Sequence, residues 1–305
     1  MKLVDPALYI TLAATGKLPM PQSLALAIMR LLQNDNYQID DLARLVQTDP
    51  ALAGELLKFS NAASFGHDRP VVSIPKAVAT LGTRRVGILV LALSVLHSNR
   101  GGRCPQFDYE QYWSRALATA VSARALSPYV KINDEDNFTA GLLCSVGELA
   151  LASIFPYRYG EFISLPDESK HKLLALEREA FNTDHRELTA TMLMNWGLPE
   201  VLVAAIYHRE SPDESEFAEG SRIHGLSLAL QIAFALADIC VPKEKTPLMP
   251  LPTLIANAAR LGIVKEEFYS LADGIIANWL EWGELLKIRT RKILSFADLL
   301  ASLKT

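Results

Sequence analysis

Apolar residues recur at three- and four-residue intervals along nearly every long segment of the chain. That spacing lines up one face of a helix. No segment sustains a period-two alternation, and no hairpin turn is flanked by one. The pattern predicts an all-α chain, a multi-helix bundle of two helical subdomains.

Punctuation marks the helix ends. "PMPQSLALAIMRLLQN" opens after Pro19 and Pro21, and "DDLARLVQTD" follows. Asp49 reads as an N-cap with Pro50 in the first helical position. A helix starts at Ser73 and stops at Gly82, and the apolar run then continues to about Asn99. "RGGRCPQ", from Arg100 to Gln106, is a loop. A second set begins with "YEQYWSRALATAVSARALSPY", an amphipathic helix. "NDEDNFTAGLLCSVGELALASIF" reads as one helix whose apolar interior pauses at Cys144 and Ser145, then at Gly147 and Glu148. "DESKHKLLALEREAFN" comes next. Asp184 and Glu187 have capping-box spacing at the start of "DHRELTATMLMNWG". "PEVLVAAIYHRE" and "HGLSLALQIAFALADICV" flank a polar link, and further helices are expected near Leu254–Leu261, Glu266–Leu286 and Ser295–Leu303. These boundaries suggest an N-terminal subdomain over 1–100, a helical core over 106–241 and an extension over 242–305.

Composition narrows the function classes. The chain has 305 residues, half of them hydrophobic, so it can bury a large core. The net charge is −4 and no basic stripe occurs, which argues against a nucleic-acid partner. Arg84 and Arg85, and the later cluster of Arg289, Arg291 and Lys292, read as solvated helix faces. Three widely spaced cysteines form no CxxC pair and suit a reducing cytoplasm. The start lacks the apolar core of a signal peptide. The longest apolar run, Val86 to Leu96, is too short to span a bilayer, so no membrane partner is expected.

Most chemistry-bearing residues have a plain structural reading. No Gly-rich phosphate loop occurs, and Ser145 is not in a GxSxG elbow. Cys144 could act as a nucleophile if His185 or His208 activated it; a small buried thiol is the commoner case. His67, His97, His171 and His224 are isolated and read as surface or packing residues. Trp279 and Trp282 share one late helix face, which either docks a partner or packs on the body.

The order of several segments carries more. "LPMPQSLALAIMRLLQ", "LARLVQTDPALAGELLKFSNAASFG" and "SIPKAVATLGTRRVGILVLALSV" are followed by "YWSRALATAVSARAL", "FTAGLLCSVGELAL", "WGLPEVLVAAIYH" and "ALADI". Over roughly residues 15 to 240 the chain resembles an HDOD domain, a divergent branch of the HD superfamily. Catalytic members of that superfamily hold a divalent cation with a histidine, a His-Asp dyad and a late aspartate. The cation polarises a phosphoryl oxygen and generates hydroxide.

By that resemblance, Arg115 stands where the first histidine would be, and Cys144 and Ser145 replace the dyad. Glu148 replaces a common lysine, and Asp238 keeps the late aspartate. His185 and His208 fall where relatives that bind two metals often have histidine. Cys144, His185, His208 and Asp238 could instead form a zinc site, but the charge of Arg115 beside them opposes a cation. Either Arg115 pairs with Asp238 and substitutes for the cation, or Arg115 faces solvent and Asp238 caps a helix.

The resemblance therefore implies a bacterial signalling module that binds through this vestigial pocket, with no metal and no cofactor. Its output would be a protein partner or a small-molecule ligand. The alternative is an eroded metal-dependent phosphohydrolase acting on a nucleotide or cyclic dinucleotide.

Overall fold

The structure is a computed structural model that describes residues 1–32, 37–61, 70–165, 172–242, 249–293 and 296. Every regular element among them is helical. The contacts divide the chain into two compact units, Met20–Asn99 and a larger one formed by Met1–Pro19 with Arg100–Thr305. Residues 1–19 thus belong with the later part of the chain, and 242–305 is not set apart. This differs from the three-part division drawn from the sequence.

The first α-helix, α1 (Pro6–Ala14), belongs to the larger unit. The smaller unit holds α2 (Ser23–Leu32), α3 (Ile39–Gln47), α4 (Pro50–Ser60), α5 (Ile74–Leu81) and α6 (Thr83–Ser98). Its local signals act as the sequence indicates. Asp49 accepts from the backbone N–H groups of Ala51 and Leu52 at 2.9 and 3.1 Å, with Pro50 starting α4. These bonds satisfy donors that the first turn leaves free. Gly82, at φ 88°, closes α5 and opens α6; a side chain would be strained in that backbone. His97 sits 3.1 Å from Glu55, whereas His67 and His171 lie outside the described residues.

In the larger unit α7 (Tyr109–Val130) is central and packs against α8 (Asp134–Leu143), α14 (Arg222–Cys240) and α16 (Lys265–Leu286). The amphipathic expectation for α7 gives way to burial on most of its circumference. Its Ala116, Ala118, Ala120, Ser122 and Ala123 are small enough to let neighbours approach closely. A Cβ on Gly141 of α8 would lie 2.7 Å from Ala120 Cα. Asn137, fully buried, donates to Ala123 O at 2.5 Å and ties the two helices.

α9 (Val146–Ile154), α10 (Pro156–Ile163), α11 (Leu173–Phe181), α12 (His185–Asn195), α13 (Glu200–His208) and α15 (Leu251–Arg260) complete the unit. Trp279 and Trp282 of α16 are buried, so packing, and not an exposed docking stripe, explains them. Trp279 donates to Ser114 O of α7 at 3.1 Å, and Trp282 meets Phe138 of α8 at 4.6 Å between ring centroids. The expected helix at Ser295–Leu303 lies almost wholly outside the described residues.

Two stretches are longer apolar runs than the sequence reading allowed. Asp134–Ile154 and Arg222–Cys240 are long and apolar enough to cross a membrane, and 89% and 67% of their apolar windows are buried inside the protein. Packing against α7 and its neighbours therefore accounts for much of that apolar character.

Candidate functional site

The segment expected to be one helix is two. α8 ends at Leu143, Cys144 caps it, and Ser145 adopts φ −115°, ψ 17° before α9 begins. The reason lies two residues on. Gly147 N–H donates to Thr189 Oγ1 at 2.9 Å, and Thr189 Oγ1 donates to His185 O at 2.7 Å. A Cβ on Gly147 would come within 2.0 Å of His185 O. Only glycine lets the start of α9 approach α12 this closely. The break puts Cys144 and Ser145 on the wall of a cavity of about 560 Å³.

α7 supplies the opposite wall, with Gln111, Tyr112, Arg115 and Thr119 on its inward side. Glu148 lines the cavity from the first turn of α9, Phe234 closes it from α14, and Tyr159 and Phe162 come from α10. Arg115 Nη2 lies 2.5 Å from Asp238 Oδ1, with the side chains 11% and 16% exposed. Of the two arrangements open from the sequence, the structure has the ion pair. The Arg115 guanidinium also lies over the Phe234 ring, 3.9 Å from its centroid.

The two histidines lie elsewhere. His185 is the first residue of α12 and is buried. Its Nδ1 is 2.8 Å from Glu177 Oε2 and its Nε2 is 3.4 Å from Glu210 Oε1. Burial pushes the imidazole down, but the Glu177 and Glu210 carboxylates together outweigh it and raise the pKa well above the ordinary histidine value. His208 ends α13 beside Tyr207 and Phe217; burial, then the nearby chain N-terminus, lowers its pKa. Neither histidine lines the cavity.

Sequence reasoning missed Arg209. It follows His208, is 2% exposed, and directs Nη2 to Ser145 Oγ at 3.4 Å and to Glu210 Oε1 at 3.2 Å. It also sits 5.1 Å from the Phe234 centroid. Leu202, Ile206 and Arg209 follow one helix face at i, i+4, i+7 spacing, which was the available signal. Burial pushes Glu210 up, yet Arg209 and His185 together hold its carboxyl well below the usual range. The Cys144 thiol is pushed up by burial, with Arg209 opposing, and donates to Gly141 O at 3.2 Å. A thiol so held is a poor nucleophile.

These residues do not fit a divalent cation. A guanidinium occupies Asp238, and both ring nitrogens of His185 are engaged by carboxylates. Burial pushes the Cys144 thiol pKa up, away from the thiolate a metal would need, and His208 is not at the cavity. Among the described residues no three His, Cys, Asp or Glu side chains form a metal-binding cluster.

Residues 18–212 match the HDOD domain family. The chain belongs to the HDOD domain family. The crystal structure of the MmoQ response regulator from Methylococcus capsulatus str. Bath is 37% identical, covers 84% of this chain and 98% of its own, and superposes with a TM-score of 0.51. An HDOD domain protein with unknown function from Geobacter sulfurreducens is 21% identical, with 93% of this chain and 97% of its own covered and a TM-score of 0.63. An uncharacterized protein of Treponema pallidum (strain Nichols) is 27% identical over 252 residues, or 80% of this chain. This HDOD chain spans about half of that protein's length, 46%.

Proposed function

We propose that this HDOD protein is a non-catalytic regulatory module of a bacterial signalling pathway, and that it works by binding. The observation that carries the reading is the Arg115–Asp238 pair at 2.5 Å. A permanent cation on the protein neutralises the aspartate that a metal would need, and arginine offers no lone pair for coordination. Cys144 and Ser145 in place of a His-Asp dyad support the same conclusion. The similarity to a response regulator supports the signalling context.

Metal analysis of the purified protein, joined to turnover assays with nucleotides and cyclic dinucleotides, tests this. The expected result is substoichiometric metal and no chelator-sensitive hydrolysis. Stoichiometric metal with chelator-sensitive turnover would restore the phosphohydrolase reading. Capture of a defined signalling protein from the host would identify the output.

A further inference from the structure

We propose that the cavity between α7, the α8–α9 break and α14 binds a flat, uncharged heteroaromatic molecule presenting carbonyl or ring-nitrogen acceptors. The proposal deepens the non-catalytic reading and rests on it. Three observations define the guest: the walls, the donors left over, and the charge.

The walls are aromatic. Phe107, Tyr112, Tyr159, Phe162 and Phe234 all face the space. Phe107 lies 5.3 Å from Tyr112 and 6.4 Å from Tyr159 between centroids, so three rings form one continuous side. Flat π-faces reward a flat guest, which gains stacking contact with little ordering cost. At about 560 Å³ the space falls in the range of small-molecule sites and has room for one or two fused rings.

The leftover polar atoms are donors. Tyr112 Oη and Arg115 Nε are buried and have no hydrogen-bond partner among the described residues. They lie three residues apart on α7, the spacing that places two side chains on one helix face. A buried donor without an acceptor is costly. A guest that supplies acceptors there removes that cost, and a purely hydrocarbon guest does not.

Charge excludes a strongly anionic guest. Asp238 already neutralises Arg115, and Asp108 and Glu148 add carboxylates around the space. Among the described residues lining the space, a phosphate dianion would meet like charge with no unpaired cation to receive it. An uncharged ring system with in-plane acceptors meets all three conditions.

Calorimetric titration of the whole protein with uncharged lumazine and with hypoxanthine tests the proposal, with adenosine monophosphate as the anionic comparator. At least one uncharged probe should saturate, and the anion should bind about tenfold more weakly or not at all. Tyr112→Phe should weaken the uncharged probe about fivefold while leaving the free protein as stable as before or more so, because an orphaned hydroxyl is gone. Ala116→Phe, which projects a ring into the space, should abolish binding with the helical signal retained.

Failure of both uncharged probes to saturate would overturn the proposal. So would equal or tighter binding of the anion, or unchanged binding in the folded Ala116→Phe variant. If Ala116→Phe does not fold, Tyr112→Phe decides, and unchanged affinity there counts against the site. None of these failures touches the non-catalytic reading, which falls only to chelator-sensitive turnover.

Discussion

The carboxylate of Asp238 on α14 holds the guanidinium of Arg115 on α7 at 2.5 Å, with both side chains mostly buried. Removing one partner strands the other in a poorly hydrated place. Asp238→Ala should therefore lower unfolding stability by about 3 kcal/mol in urea titrations. The double change Arg115→Met with Asp238→Leu should recover most of that loss, because it leaves no unpaired charge. A double variant as unstable as the single one would show that the pair is not the source.

His185 gives stability a pH dependence. Its folded pKa is raised, because the Glu177 and Glu210 carboxylates together outweigh burial. The stabilisation is fully present below the unfolded value of about 6.5 and is lost as pH rises through the folded value. Urea midpoints should fall as the pH rises above about 6.5. His185→Gln should lower the midpoint at the acidic end and flatten the profile, because buried Glu177 then loses its cation.

Arg209 tests the same buried network from its other end. Glu210→Ala removes a carboxylate 3.2 Å from Arg209 Nη2 and 3.4 Å from His185 Nε2. Arg209 is buried but the Glu210 side chain is 34% exposed, so the loss should be about 1–2 kcal/mol, against less than about 1 kcal/mol for Glu161→Ala, whose pair with Arg158 is exposed on both sides. Equal losses would mean that burial of Arg209 is immaterial.

Three glycines should respond with opposite signs to alanine. Gly141→Ala and Gly147→Ala place a Cβ against backbone atoms at 2.7 and 2.0 Å, and each should cost about 1–3 kcal/mol. Gly274, exposed in mid-α16 with nothing within 4 Å of a built Cβ, should gain about 0.5–1 kcal/mol as alanine. Thermal melts of the three variants check the ordering.

Local signals in the sequence revealed much of this fold. Asp49 with Pro50, Gly82, and Asp184 at the start of α12 act where a reading of caps and breakers places them. Even so, the capping box at Asp184 is only half made. Asp184 accepts from Arg186 and Glu187 N–H, while the Glu187 side chain is drawn to Lys2 and Arg178. The order of segments placed Arg115 and Asp238 at the same pocket but left their pairing as one of two arrangements, which the ion pair at 2.5 Å decides.

Long-range packing was not legible. The α8–α9 break depends on Gly147 meeting a carbonyl of α12, a contact far along the chain. The "YHRE" stretch looks like a polar helix end, yet Arg209 is buried because Ser145, Glu210 and Phe234 surround it. Grouping residues 1–19 with 100–305 likewise rests on distant bonds, such as Val4 N–H to Thr191 Oγ1 at 2.9 Å.

The interruption at Cys144 and Ser145 divides the cavity wall between two tight couples. One couple is α8 against α7 through Gly141; the other is α9 against α12 through Gly147. Each couple resists sliding, because its backbones already touch. The break at Cys144 and Ser145 lies at the seam between the two couples. A guest wedged beside Ser145 would press on that seam, and a slight tilt there would travel along α12 as a rigid rod.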